Sequence, residues 1–135
     1  METATTSTPL LLPTTCRSSC TIHNTDTELL VSLFADRVLA LASQTGKLGT
    51  ITQASATMSP FDGARNTAVS TLLGRRDDLV SGAITRVVSE RLQRAGDERP
   101  VVACVSLTKQ AGAVEAKAVA DALAHLAHYA VTRSP

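Results

Sequence analysis

Hydrophobic positions along this chain change rhythm three times. From residue 20 to residue 73 they recur with a period near two, which is the mark of strands. Short runs at 20–23, 28–34, 37–43, 50–54 and 68–73 each read as one strand. Ala35-Asp36 leaves room only for a hairpin turn between the second and the third. Gln44-Thr45-Gly46-Lys47-Leu48-Gly49-Thr50 carries two glycines three apart and reads as a tight connection to the next strand. Residues 55–65, with Ser59-Pro60 and Asp62-Gly63, read as a longer loop. After Gly74 the period becomes helical. Asp77 or Asp78 is placed to cap a helix whose stripe is Val80, Ile84, Val87, Val88 and Leu92, with Arg91 and Arg94 in its last turn and Gly96 as its stop. Residues 100–107 return to a strand opened by Pro100. A last helix spans 114–132, with Ala118, Val119, Ala122, Leu123, Leu126 and Ala130 on one side and Lys117, Asp121, His125 and His128 on the other. The predicted fold is α+β: an antiparallel sheet of about six strands in the chain order βββββαβα, with two helices on one face. Residues 1–15, rich in Thr, Ser and Pro, read as a disordered tail, which leaves 16–135 as a single domain.

The pattern within the strands is more informative than the pattern between them. A two-residue turn sets Phe34 opposite Arg37. One face then carries Leu29, Val31, Leu33, Val38, Ala40 and Ala42, matched on the last strand by Val101, Ala103, Val105 and Leu107. That face is wholly apolar and suits a helix cover. The opposite face carries Leu30, Ser32, Phe34, Leu39, Leu41 and Ser43, with Val102, Cys104 and Ser106. An antiparallel sheet with one wet face should alternate apolar and polar; this one is greasy on both. Two helices cannot cover both faces. Either the tail or a misplaced helix folds over the second face, or a partner sheet packs on it at ~10 Å, and the partner is the simpler remedy. One sheet face can supply the roughly 800 Å² per partner of an ordinary interface.

Composition removes most other functions. The aromatics are Phe34, Phe61 and Tyr129, with no Trp, too few for a stacking platform on single-stranded nucleic acid. A net charge of +1, from 13 basic and 12 acidic residues, leaves no footprint for phosphate backbones, and Arg75-Arg76 runs straight into Asp77-Asp78 as a helix entry. No run approaches the ~20 apolar residues of a membrane helix, and Leu10-Leu11-Leu12 lacks the basic flank of a signal peptide. The odd set Cys16, Cys20 and Cys104 reads as reduced thiols of a cytosolic or nuclear protein. Cys16 and Cys20 on one strand stand roughly 13 Å apart, too far to bridge. His125 and His128 lack a third ligand at helical spacing and read as part of a solvated helix side. No flanking motif joins Cys104 or Cys20 to His23 as a nucleophile pair, and Gly46-Lys47-Leu48-Gly49 lacks the strand–loop–helix setting of a phosphate loop. The expectation is a protein-binding domain with no catalytic residue, cofactor or metal. Two rivals are a small dimeric scaffold subunit for trafficking or signalling, and a small enzyme built on Cys104 or His23.

The segment 37–50, an apolar strand running into Gln44-Thr45-Gly46-Lys47-Leu48-Gly49-Thr50, resembles the hairpin of the proteasome assembly chaperone 3 family. Thr71-Leu72-Leu73-Gly74, followed by acidic residues and a helix, resembles that family's second signature. The likeness in spacing and element order covers about residues 16–107. It implies a non-catalytic chaperone that forms a homodimer, or pairs with a sister assembly chaperone, and helps proteasome α subunits assemble into their ring. It also implies sheets facing each other in the dimer with helices outside, which agrees with the two-faced reading and sets the interface at Leu30, Ser32, Phe34, Leu39, Leu41 and Cys104. The loop after the fourth strand, with Met58, Phe61, Asp62 and Arg65, is implied as the contact to a proteasome subunit. A loop Phe tucked back on its own core is the alternative.

Overall fold

The computed structural model describes residues 14–76, 78–109 and 111–133. Eight elements follow in chain order: β1 (Thr14–Ile22), β2 (Thr25–Leu33), β3 (Val38–Ser43), β4 (Thr50–Met58), β5 (Arg65–Leu73), α1 (Leu79–Arg94), β6 (Val101–Ser106) and α2 (Ala113–Arg133). This is the expected order, with β1, β2, β4 and β5 longer than expected and β3 and β6 slightly shorter. Thr14 and Thr15, assigned to the tail from sequence, open β1, while the rest of that tail lies outside the described residues. Strands β4 and β5 run on as a nine-residue hairpin, shortening the expected loop to 59–64.

The strands form one sheet in the order β1-β2-β3-β6-β4-β5. The hairpin β1–β2 turns at His23-Asn24, both with positive φ, as a two-residue turn that follows strand twist requires. The β2–β3 hairpin has the expected register: Leu33 pairs with Val38, and the Phe34 N–H donates to the Arg37 carbonyl at 2.9 Å. Beyond β3 the connectivity departs from the sequence reading. Strand β4 does not pair with β3; β6 lies between them, parallel to β3 and antiparallel to β4, so the sheet is mixed. Two strand spacings of ~4.8 Å are easily crossed by the six residues 44–49, so a connection that looks like a hairpin can straddle a strand.

Both helices pack on the same side of the sheet, α2 over β1–β3 and α1 over β4–β6, and against each other. Val31, Val38, Ala40, Ala42, Val101 and Ala103 are fully buried there, as the face assignment requires. Helix α1 starts at Asp78, whose carboxylate accepts from the Ser81 N–H at 3.0 Å, and ends where the Asp97 N–H reaches back to the Leu92 carbonyl. Its inner stripe differs from the expected one. Ile84, Val88 and Leu92 are buried, Val80 faces outward, and Ser81, Thr85 and Ser89 fill the buried positions between. Hydroxyls bonded locally make that possible: Thr85 donates to the Ser81 carbonyl at 2.7 Å and shares a 2.8 Å bond with Thr52 of β4. On α2, His128 is half-buried rather than solvated, with its Nδ1 enclosed and without a hydrogen-bond partner.

Candidate docking surfaces

The side of the sheet away from the helices is built by strand register alone. Leu30, Leu41, Cys104 and Ile51 stand next to one another on successive strands, one row across the sheet, with Arg17 at the β1 end and Leu73 at the β5 end. The next row is Thr15, Ser32, Leu39, Val102, Gln53 and Ser70, in which the Thr15 and Ser32 hydroxyls bond at 2.8 Å. Ser32 and Cys104 are buried by their neighbours, Leu30, Leu39 and Leu41 are half-buried, and Phe34 stands exposed at the strand end. Among the described residues no element packs on this side. All six residues expected at an interface therefore share one uncovered face. Ile51 and Leu73 extend its apolar row, and sequence reasoning missed them, because their side depends on β4 pairing with β6 instead of β3.

Cys104 has the wrong surroundings for a nucleophile. Burial pushes its thiol above the ordinary range, where the thiolate is scarcer. His23 is on the opposite side of the sheet from it, at the β1–β2 turn, 3.9 Å from Glu115 of α2. Cys16 and Cys20 are free thiols on β1 against the core. Among the described residues no three His, Cys, Asp or Glu side chains gather as a metal site, and no helix is long and apolar enough to cross a membrane.

The motif residues Gln44, Gly46, Lys47, Gly49 and Thr50 form an arch that carries the chain from β3 over the end of β6 to β4. Gln44 is its keystone. Its backbone N–H donates to the Ser106 carbonyl at 2.8 Å, its side-chain amide donates to Thr27 at 3.1 Å, and its side-chain carbonyl accepts from the Thr108 N–H at 3.1 Å. Ser43 closes the arch from below, accepting from the Gly46 N–H and donating to the Lys47 carbonyl. Gly49, with φ +70°, passes so close to β6 that a Cβ would sit 2.1 Å from the Val105 carbonyl oxygen. Gly74, with φ +109°, lies against Thr50 from the other side, where a Cβ would come within 3.0 Å of the Thr50 Cα and hydroxyl. The two motifs meet at Thr50, which explains their residue types as architecture. Lys47 points outward, and Leu72 and Leu73 are exposed beside Gly74.

The β4–β5 hairpin ends in a defined turn. The Ser59 N–H donates to the Ala64 carbonyl at 2.8 Å, and Asp62 accepts from the Ala64 N–H at 2.9 Å, a bond that holds its carboxyl below the usual range. Phe61 is 96% exposed, so it is not tucked onto the core, and Met58 is also exposed. Arg65 pairs with Glu98 at 2.5 Å and steadies the hairpin base.

Comparison with known proteins places this geometry. The family model described as proteasome assembly chaperone 3 matches residues 40–125, which includes the arch, the β4–β5 hairpin, α1, β6 and the first part of α2. No curated protein matches the chain by sequence. Among solved structures, a chain from a chaperone complex for yeast 20S proteasome assembly superposes with a TM-score of 0.66 over 84% of this chain and 98% of that one, at 11% identity. At that identity the likeness is one of fold.

Proposed function

The chain belongs to the proteasome assembly chaperone 3 family, and from that premise we propose that it is a non-catalytic 20S proteasome assembly chaperone, working as half of a dimer closed through the uncovered side of its sheet. The partner is a second copy or a sister assembly chaperone, and the client is the proteasome α-ring. The observation that carries this is the row Leu30–Leu41–Cys104–Ile51, continuous across four strands with no cover among the described residues. Water left on such a row is unfavourable by ~25 cal/mol per Å² of apolar surface, and a facing sheet removes it without any rearrangement of the helices.

The mechanism is templating. A dimer with its helices outside offers fixed surfaces to α subunits, and binding energy favours one order of subunits. Release requires that no single contact be tight, so affinity is spread over modest surfaces. Nothing in this scheme needs a reacting group, and the raised Cys104 thiol fits it. Three free thiols suit a reducing compartment, the cytoplasm or nucleus.

The test is equilibrium sedimentation of the purified chain beside Leu39→Glu/Leu41→Glu, followed by capture of purified α subunits. The wild type should be a dimer, alone or with its sister chaperone, and should retain α subunits. The variant should be a folded monomer by circular dichroism. A wild type that stays monomeric at high concentration, alone and with its sister chaperone, sinks the dimer, and failure to retain any α subunit sinks the chaperone role.

A further inference from the structure

We propose that the helix-bearing side carries a two-part docking site for the client: an apolar cleft that takes a hydrocarbon side chain and, one helix flank away, a cavity with two arginines that takes a neighbouring carboxylate. The occupant is an acidic, apolar-anchored segment of an α subunit. This rests on the chaperone reading above and says which surface that reading uses.

The cleft lies between the N-terminal halves of α1 and α2 and has a volume of about 390 Å³. Helix α1 lines it with Leu79, Val80, Ala83 and Val87, while α2 contributes mainly alanines, Ala113, Ala116 and Ala120. Side chains that small cannot fill the groove between two packed helices, so a gap remains where ridges would normally interlock. Large apolar residues are nevertheless concentrated at its mouth. Leu79 is 82% exposed, and Val80 is exposed beside it. They add nothing to the core, where Ser81 and Thr85 take the buried positions of the same turns.

The second cavity, about 350 Å³, lies on the other flank of α1, against β4 and β5. Leu79 and Ala83 line both spaces, so the two are one continuous surface. Its lining includes Thr52, Thr71, Arg76 and Arg86. Among the described residues neither arginine has an ion-pair partner. The carboxylate that does line the cavity, Asp78, is already committed: its oxygens accept from the Ser81 N–H at 3.0 Å and the Ser81 hydroxyl at 2.8 Å. In the cleft Lys117 and Asp121, one turn apart, offset each other. The surface thus has an excess of positive charge beside exposed hydrocarbon, and guanidinium groups pair with carboxylates in a fixed geometry. A second copy is a poor occupant, because a two-fold interface here would set Arg76 and Arg86 against themselves.

The experiment is titration of purified α subunits, one at a time, into the full-length chain at low and high salt. Arg76→Ala/Arg86→Ala should weaken binding of the subunit that the wild type holds by about tenfold or more and flatten its salt dependence. Ala83→Gln, which blocks the mouth of both spaces, should weaken binding by a similar factor and keep the salt dependence. Dimer mass and thermal midpoint should be those of the wild type in both. Affinities within about twofold of wild type for both variants overturn the site and leave the chaperone role standing. Loss of a larger self-assembly with client binding intact overturns it too, in favour of a second copy. A wild type that binds no α subunit overturns the chaperone reading itself, and the site with it.

Discussion

The two sides of the sheet are made by alternate residues of the same strands, and they are finished to different degrees. On the helix side the strand residues are small or β-branched, Val31, Val38, Ala40, Ala42, Val101 and Ala103, and every one is fully buried. The buried side of α2 is rich in alanine, Ala120, Ala124, Ala127 and Ala130, and β3 beneath it offers Ala40 and Ala42, so helix and sheet approach closely. On the far side the residues are larger, Leu30, Leu39, Leu41, Val102 and Ile51, they are only half-buried, and serines separate them. A side built for its own helices has small residues where backbones approach. A side built for another molecule keeps bulky hydrocarbon at the surface and tempers it with hydroxyls that remain content in water. On the dimer proposed above, stability is written on one side and association on the other.

Adjacent residues of β2 give the hardest test of that division. Val31→Asp puts an unpaired carboxylate into the closed side. The cost of a buried, uncompensated charge, about 3–5 kcal/mol, consumes much of the ~5–15 kcal/mol available to a domain, so the variant should lose its cooperative unfolding transition. Leu30→Asp, one residue earlier, should keep its denaturant midpoint within about 1 kcal/mol when measured on monomer and should lose the dimer. Equal damage at both positions would mean that the chain covers its own far side.

The face assignment was legible because it needs only period two and a hairpin register. Both hold for Leu29–Leu33 against Val38–Ala42. The neighbour of β4 was not legible, because no local pattern tells a six-residue connection that turns back from one that steps over a strand not yet made. The signal lay in Gly49, whose need for a positive φ was visible but whose closeness to β6 was not. Phe61 and Asp62 could be placed on a loop from Pro60 and Gly63, whereas Met58 ends β4 and Arg65 opens β5, and the pairing of Arg65 with Glu98 depends on where α1 ends and could not be seen. The α1–α2 cleft was missed for a related reason: Val80 fits a helical stripe, and only packing shows that Ser81 took the inward position.

Gly49→Ala probes the arch on which both sides depend. Forcing a side chain into this backbone region costs ~1–3 kcal/mol, and overlap with the Val105 carbonyl adds to it, so β6 must move away from β4. The expected result is a loss of stability at the upper end of that range or beyond, with fast hydrogen exchange at 101–106. A variant within 1 kcal/mol of wild type, roughly the cost of an ordinary exposed change, would mean that the arch is loose.

The closed side is itself uneven, and a smaller effect reports on that. Under α2 it is hydrocarbon apart from Thr27, which the Gln44 amide reaches; under α1 the seam includes the Thr52–Thr85 hydroxyl pair. Thr85→Val leaves the Thr52 hydroxyl without that partner and should cost about 1–2 kcal/mol. Adding Thr52→Val should recover part of the loss, since the pair then becomes apolar at nearly constant volume. A double variant no better than the single would show that Thr52 had found another partner.

The smallest expected effect is acid sensitivity, and it belongs to the rims of the closed side. Asp97 is held below its ordinary 3.8 first by hydrogen bonds from the Arg99 side chain, against the opposing effect of burial. At Asp78 burial raises the pKa, but the Ser81 and Thr50 donors and the nearby Arg75 together outweigh it, and the net shift is again downward. Both carboxylates therefore take up protons more readily in the unfolded chain than in the folded one. Their contribution is present in full above 3.8 and is lost as pH falls below it toward the folded values. Arg99 also donates to the Phe34 carbonyl at 2.7 Å, so protonating Asp97 loosens the hold of the α1–β6 connection on the β2–β3 turn. Asp97→Asn should cost within about 1 kcal/mol at neutral pH and should flatten the decline of stability below pH ~4, measured by urea unfolding across the range. An unchanged acid slope would place the titrating groups elsewhere, on the exposed carboxylates that both sides of the sheet share.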